Sequence, residues 1–79
     1  MSRDKILSRL LDLAQARFGA RAATLTPGDD LYAVLGIDSM ESMSLLTAIE
    51  EEFDVEIPDY ELQGVRTLAS LADLVSRRL

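Results

Sequence analysis

The stretch "GIDSMESMSLLTAIEEEF", residues 36–53, ends a loop and begins a long helical pattern. Ser39 is expected to be the N-cap of a helix from Met40 to about Phe53, because its hydroxyl oxygen can accept a free N–H group of the first turn. When this helix is turned by about 100° per residue, one face becomes mostly apolar. We expect that face to meet the core, and its members are Ser42, Leu45, Leu46, Ile49 and Phe53.

The opposite face of this helix is expected to stay exposed, and it consists of Met40, Ser44, Thr47 and Glu51, with Glu41 and Met43 at its flanks. Exposed methionines adapt to partners of different shape, so we expect this face to bind other proteins. The other interpretation is that the preceding loop folds over Met40 and Met43 and makes them core residues. Ser39 lies beside this face at the positive end of a helix, where an attached phosphate is favoured. A plain N-cap serine is the alternative.

Helical patterns also occur before this stretch. From about Arg3 to Phe18, apolar residues recur at helical spacing and Gly19 is expected to end the helix; the apolar residues are Leu7, Leu11, Ala14 and Phe18, with Ile6 and Leu10 beside them. Residues 19–38 contain turn-forming residues but also scattered apolar ones. This mixture favours a long loop that packs against the helices.

Two shorter patterns follow the central stretch. "PDYELQG", residues 58–64, predicts a short third helix with Asp59 as its cap and Gly64 as its stop. Thr67 is expected to cap a last helix, whose buried face consists of Leu68, Leu71, Ala72, Val75 and Leu79. No segment alternates as a strand would. The predicted fold is all-α, a four-helix bundle with a short third helix and a long loop between helices one and two.

The composition is that of one small globular domain, which we expect to span residues 1–79. Hydrophobic residues make up 48% of the chain, charged residues 28%, and cysteine is absent, so disulfides cannot support the fold. No apolar stretch approaches the ~20 residues that cross a bilayer. We therefore expect a cytoplasmic monomer that does not insert into membranes.

The net charge of −6 is unevenly distributed along the chain. Residues 1–23 carry five basic and two acidic side chains (+3), residues 24–65 carry eleven acidic and no basic ones (−11), and residues 66–79 carry three basic and one acidic (+2). An acidic, uncompensated middle segment would repel nucleic acids and attract proteins with basic patches. The alternative is that the acidic residues only keep the protein in solution.

The residue types needed for catalysis are missing. A catalytic serine requires a base, usually histidine, and this chain has no histidine, no cysteine and a single lysine, Lys5. The acidic clusters "GDD" and "EEEFD" lack the spacing of a calcium-binding loop. We therefore expect neither a catalytic residue nor a metal site, and no enzymatic activity of the chain's own.

The segment "LGIDSMESMSLLTAIEEEFDVEIPD", residues 35–59, resembles the acyl carrier proteins. Their pattern is a Gly-x-Asp-Ser-[Leu/Met] turn that leads into an acidic helix, and the similarity extends to the C-terminus. The resemblance implies a stand-alone carrier with 4′-phosphopantetheine on Ser39, transferred from coenzyme A by a phosphopantetheinyl transferase. It also implies that acyl groups are held as thioesters, that Asp38 helps the transferase bind its metal, and that loading ligases or synthases with basic patches dock on a face formed by Met40, Glu41, Met43, Ser44, Thr47 and Glu51.

Two departures from this pattern leave the pathway open. Ser44 stands where bacterial fatty-acid carriers usually have an acidic residue, and "QGVRTL", residues 63–68, replaces a more acidic and more helical continuation. Fatty-acid synthesis and a specialised route such as polyketide synthesis therefore remain alternatives. An aminoacyl or peptidyl carrier is a further alternative. The competing class is a non-covalent, acidic helical interaction module in which Ser39 is only a cap or a phosphorylation site.

Overall fold

The computed structural model describes residues 1–79 and contains helices but no strand. Its four α-helices are α1 (Arg3–Phe18), α2 (Leu31–Leu35), α3 (Ser39–Phe53) and α4 (Leu68–Arg78), with 3₁₀ turns at Gly19–Ala22 and Asp59–Leu62. The all-α prediction is confirmed. The predicted second helix is α3, the predicted fourth is α4, and the predicted third is the 3₁₀ turn at Asp59–Leu62, hereafter the 59–62 turn.

Helix α1 has the predicted bounds. The Ser2 hydroxyl caps it by accepting from the Lys5 N–H at 3.3 Å, and Gly19 ends it with a φ of 56°, in the region that favours glycine. The fully buried side chains are Ile6, Leu10 and Ala14. The stripe that was expected to be central is only partly buried at Leu7, Leu11 and Phe18, so the helix is rotated slightly from the predicted orientation.

The predicted long loop contains one helix that the pattern did not indicate. Asp30 caps α2 by accepting from the N–H groups of Tyr32 and Ala33, and Gly36 ends it with a φ of 63°. Five residues are too few to show a helical period, although an aspartate six positions before a glycine is a usable cap signal. Leu25, Leu31 and Leu35 are buried, which confirms that the connection packs against the bundle.

Helix α3 begins one residue earlier than predicted, and its N-cap is Asp38 rather than Ser39. The Asp38 carboxylate accepts from the Glu41 N–H at 2.8 Å, and the Glu41 carboxylate accepts from the Asp38 N–H at 3.4 Å, which forms a capping box. The Asp38 carboxylate rather than the Ser39 hydroxyl caps the helix, because Asp38 lies one position before the first helical residue. Aspartate is at least as good a cap as serine. The core face is confirmed at Leu45, Ile49 and Phe53, while Ser42 and Leu46 are half-buried.

The 59–62 turn is shorter and less anchored than the predicted third helix. Pro58 holds the N-cap position and no side chain caps the turn, so the assignment of Asp59 as cap is wrong. None of its four residues is buried. With Pro58 providing no N–H and Gly64 at a φ of 77° beyond its end, the segment cannot extend into a regular helix.

Helix α4 is capped as predicted, because the Thr67 hydroxyl accepts from the Ser70 N–H at 3.1 Å. Its buried residues are Leu68, Leu71, Ala72, Leu74 and Val75. Leu79 was expected on this face but is 57% exposed, since it lies beyond the last helical residue and Leu74 takes its place. Helices α4 and α3 both pack against α1, and the shared core consists of 17 apolar residues with no buried polar or charged one.

Candidate functional site

Ser39 is the first residue of α3 and is exposed. Its carbonyl accepts from the Ser42 hydroxyl at 2.9 Å, whereas its own hydroxyl makes no hydrogen bond within the protein. The N–H groups of Ser39 and Met40 likewise have no backbone partner. Because Asp38 rather than Ser39 caps the helix, the Ser39 hydroxyl is free to react without loss of the cap.

The two methionines near Ser39 are exposed, at 81% for Met40 and 56% for Met43. The interpretation in which the preceding loop covers them is therefore wrong. Ser44, Thr47 and Glu51 are also exposed, and Glu41 is half-buried. These residues thus form a continuous surface along α3 that begins at the serine, and its role in partner binding stays a prediction.

Contrary to expectation, the negative charge of residues 24–65 is partly neutralised by other parts of the chain. Four of the eleven carboxylates in this segment form ion pairs with arginines from the flanking segments: Glu52 with Arg9, Glu41 with Arg21, Asp30 with Arg66, and Glu61 with Arg78. The pattern along the sequence could not show this, because the partners lie 17 to 43 positions apart. The remaining carboxylates still make this surface acidic overall.

Two arginines reach the α3 face from the end of α1, and sequence reasoning missed both. Arg17 Nη2 donates to the Ser44 hydroxyl at 2.9 Å and to the Ser44 carbonyl at 3.1 Å. Arg21 donates to the Leu35 carbonyl at 2.8 Å, pairs with Glu41 at 3.1 Å and lies over the Phe18 ring at 5.3 Å. Arg21 lies beyond the end of α1, in the 3₁₀ turn at Gly19–Ala22, so the helical spacing of α1 could not place the two arginines on one face.

An apolar cavity of about 90 Å³ lies behind the methionine side of α3. Ten of its eleven lining residues are hydrophobic, and the full lining is Leu31, Tyr32, Ile37, Ser42, Met43, Leu45, Leu46, Ile49, Leu62, Val65 and Leu71. Since apolar cavities of ~150 Å³ hold benzene, this one is too small for a long chain unless the wall formed by Leu62 and Val65 moves outward.

Asp30 and Arg66 fasten α2 to the segment that follows the 59–62 turn. Arg66 Nε donates to the Asp30 carboxylate at 2.7 Å and its guanidinium lies 4.9 Å from the centre of the Tyr32 ring. The Leu31 N–H also donates to the Arg66 carbonyl at 2.7 Å. The hydrogen bond from Arg66, aided by those from Ala33 and Tyr32, lowers the pKa of the Asp30 carboxyl below 3.8. We call Asp30, Tyr32 and Arg66 the clasp.

The chemistry open to this surface is limited by its side chains. No group of three or more histidine, cysteine, aspartate or glutamate side chains is arranged to hold a metal ion. None of the helices is both long and apolar enough to span a membrane. The site therefore combines a free serine hydroxyl at a helix start with exposed methionines and an apolar cavity.

Comparison with known proteins indicates the family of this chain. Residues 8–75 match the family model described as "Phosphopantetheine attachment site". The chain is 32% identical over 69 residues to an acyl carrier protein of Syntrophobacter fumaroxidans, covering 87% of this chain and 85% of that one. It is 29% identical over 75 residues to an acyl carrier protein of Cyanidioschyzon merolae, covering 95% and 82%.

Among solved structures, an acyl carrier protein from Enterococcus faecalis superimposes with a TM-score of 0.79 over the full length of both chains, at 23% identity. That likeness supports the fold. The family model and the relative from Syntrophobacter fumaroxidans show that this chain belongs to the acyl carrier protein family. The protein is therefore an acyl-carrying carrier with a 4′-phosphopantetheine cofactor, it works with a transferase and synthase enzymes, and it is not itself a catalyst.

The site around α3 fits that cofactor. A phosphodiester link needs an exposed hydroxyl with no competing hydrogen bond, and the Ser39 hydroxyl meets both conditions. The free N–H groups of the first turn and the helix dipole favour the negative charge of a phosphate at this end. The bound group supplies a terminal thiol, which forms thioesters and which this cysteine-free chain otherwise lacks.

Proposed function

We propose that Ser39 is the attachment point of the phosphopantetheine arm. The observation that carries this proposal is the free, exposed hydroxyl on the first residue of a helix that Asp38 already caps. In the transfer, Ser39 Oγ attacks a phosphorus of coenzyme A. The new O–P bond forms as the P–O bond to adenosine 3′,5′-bisphosphate breaks, and the hydroxyl proton passes to a base of the transferase.

Asp38 is assigned two roles in this step. One carboxylate oxygen, Oδ1, accepts from the Glu41 N–H and so fixes the turn that presents Ser39. The other oxygen makes no hydrogen bond within the protein and remains available to a transferase-bound metal ion, in keeping with the family resemblance. An amide at this position would keep a cap but would lose the negative charge that a metal ion needs.

The proposed cargo is an acyl chain that enters the apolar cavity between α3 and the 59–62 turn. Leu46, Leu62 and Val65 line that cavity, whereas Phe53 and Ile57 are buried core residues that do not line it. Because the 59–62 turn contributes no buried residue, its outward movement is the least costly way to enlarge a cavity of about 90 Å³. Each buried methylene would then stabilise the loaded form by ~0.8 kcal/mol.

Partner enzymes are proposed to dock on the α3 face, with Met40 and Met43 as apolar anchors beside the arm. Thr47 and Glu51 continue this face away from Ser39, and Glu51 forms no ion pair, so its carboxylate is free for a basic patch on the partner. Glu41 and Ser44 form the edge nearest α1. We further propose that residues 1–79 form one domain, because a single continuous core joins all of the helices, and that the protein acts as a monomer in the cytoplasm. Fatty-acid and polyketide routes both fit this carrier.

The test is the intact mass of the protein after incubation with coenzyme A and a broad-range phosphopantetheinyl transferase. We expect one added arm on the wild-type chain and none on Ser39→Ala. Ser8→Ala is the matched control, since Ser8 is exposed on α1, outside the α3 face, and its loss should leave modification unchanged. Far-UV circular dichroism verifies that both variants are helical. A helical Ser39→Ala protein that still gains the arm would refute the assignment.

A further inference from the structure

The edge of the α3 face nearest α1 carries an unneutralised positive charge at Arg17. Five ion pairs join the charged residues of the chain, and none includes Arg17. Its guanidinium is instead held by the hydroxyl and carbonyl oxygens of Ser44, at 2.9 and 3.1 Å. Both acceptors are neutral, so they position the cation without cancelling its charge.

Arg21 offsets a negative charge at the same edge, that of Glu41. Its guanidinium pairs with the Glu41 carboxylate at 3.1 Å and is kept in place by the Leu35 carbonyl and the Phe18 ring. Ala16, Arg17, Phe18, Glu41 and Ser44 together line a cleft between the end of α1 and the first half of α3. We call this cleft, together with Arg21, the α1 edge. Arg21 offsets the charge of Glu41, so the charge of Arg17 leaves the α1 edge positive.

The far end of the α3 face has the opposite sign. Glu51 is exposed and forms no ion pair, and it lies seven residues beyond Ser44 on the same side of the helix. The face therefore changes from positive at Arg17 to negative at Glu51. A uniformly basic docking patch would meet Glu51 favourably but would be repelled at the α1 edge.

We propose that Arg17 is a specificity determinant that selects partner enzymes with a carboxylate opposite the α1 edge. This inference rests on the proposed function, because it places Arg17 beside the docking face of a carrier modified at Ser39. A partner of mixed charge, acidic toward Arg17 and basic toward Glu51, would dock in one register only. Partners with a basic side chain opposite Ser44 are disfavoured by like-charge repulsion, which is a common means of rejecting wrong partners.

The experiment measures kcat/KM for malonyl transfer to the phosphopantetheine-bearing protein by a bacterial malonyl transferase with a basic docking patch. Arg17→Gln keeps a hydrogen-bond donor for Ser44 but removes the charge, and Arg17→Glu reverses it. The matched control is Lys5→Glu, which makes the same change in net charge on the same helix. Lys5 is exposed, forms no ion pair and lies outside the α1 edge.

We expect Arg17→Gln to raise kcat/KM about threefold and Arg17→Glu about tenfold at low salt, corresponding to about 1.4 kcal/mol for the reversal. Both gains should shrink as salt screens the charges, and Lys5→Glu should stay within about twofold of wild type. In a second series, each basic residue of the transferase patch is changed to glutamate. One such variant should load the wild-type chain better than it loads Arg17→Glu.

The possible failures are distinguishable. If the arm cannot be attached to Ser39, as judged by intact mass, the proposed function fails and this inference fails with it. If the arm is attached but Arg17→Glu gains no more than Lys5→Glu, or its gain does not depend on salt, the specificity role of Arg17 is refuted while the carrier function stands. If no glutamate variant of the transferase loads the wild-type chain better than it loads Arg17→Glu, the selection of a carboxylate by Arg17 is refuted.

Discussion

The two sides of this small bundle are built differently. On the side of α1 and α4, side chains such as Ile6, Leu10 and Val75 are completely buried, and each helix has a side-chain cap. On the other side, the 59–62 turn has no buried residue and no capping side chain. The difference indicates that α1 and α4 maintain the fold, whereas the side of the 59–62 turn, hereafter the second side, can move to accept cargo.

Polar contacts at the surface, rather than apolar burial, fasten much of the second side. The Glu50 carboxylate accepts from the Ile57 N–H at 2.8 Å, Arg78 pairs with Glu61, and Arg66 pairs with Asp30. The two ion pairs lie near the surface, where such contacts are individually weak and screened by salt. They can break and re-form without exposing any of the 17 core residues.

The largest expected effect comes from a cavity made on the side of α1 and α4. Leu10 is fully buried and Leu62 only partly so, and both are leucines that can be shortened to alanine. We expect Leu10→Ala to lower the free energy of unfolding by about 2–5 kcal/mol, and Leu62→Ala by about 1 kcal/mol or less. Urea denaturation gives both values. Equal losses would mean that the two sides are held alike.

Bound cargo should stabilise the protein by an amount within the range expected for Leu10→Ala. If an eight-carbon chain buries four or five methylenes beneath the 59–62 turn, the free energy of unfolding should rise by about 3–4 kcal/mol at ~0.8 kcal/mol each. Thermal unfolding of the octanoyl form, compared with the acetyl form as control, measures this change. The absence of any upward shift would favour a small or aminoacyl cargo that stays in solvent.

Smaller effects on the free energy of unfolding are expected from two aspartates, of which only Asp38 is a helix cap. Asp38→Ala removes the carboxylate that accepts from the Glu41 N–H and should cost about 0.5–2 kcal/mol. Asp59→Ala removes no capping bond and should stay within about 0.5 kcal/mol of wild type. Chemical denaturation of the two variants decides between them. A similar loss at Asp59 would show that the 59–62 turn is capped after all.

The smallest expected effect is the pH dependence that Asp30 of the clasp gives to the stability of the fold. Because the hydrogen bond from Arg66 lowers the folded-state pKa of Asp30 below its ordinary value of 3.8, ionised Asp30 stabilises the fold above pH 3.8. That contribution disappears as the pH falls through the folded-state pKa. We expect Asp30→Asn to be slightly less stable at pH 7 and to lose less stability on acidification.

Asp12→Asn is the control for that pH series, since Asp12 is exposed on α1 and forms no ion pair. Stability is measured by urea denaturation at several values between pH 7 and pH 3. If the stability curves of Asp30→Asn and wild type run parallel throughout this range, the clasp does not act through the Asp30 carboxylate.

Most of the fold could be predicted from patterns that repeat. The periods of α1, α3 and α4 are long enough to fix their bounds within about one residue, and Thr67 and Gly19 have the residue types that mark helix ends. Short elements were harder, because α2 is five residues long and the 59–62 turn is four. In α2 the Asp30 cap and the buried Leu31 and Leu35 decide the structure, whereas the 59–62 turn is limited by Pro58 and Gly64. Neither is long enough to show a period.

At the site, sequence reasoning predicted the exposed residues but not their neighbours. Ser39, Met40 and Met43 follow from one helix and its rotation. The cap moved from Ser39 to Asp38 because the two residues are adjacent and only backbone geometry selects between them. Arg17 at Ser44 and Arg66 at Asp30 are tertiary contacts between residues 27 and 36 positions apart, which a single sequence does not encode in its spacing.

The most direct test of the central claim, that the second side moves to admit cargo while the first holds the fold, is backbone hydrogen exchange. Exchange should be followed residue by residue in the phosphopantetheine-bearing and octanoyl-loaded forms. We predict that octanoyl loading slows exchange at residues 57–66 and in the middle of α3, and leaves the centres of α1 and α4 unchanged. Uniform slowing throughout the chain, or no change at residues 57–66, would contradict this account.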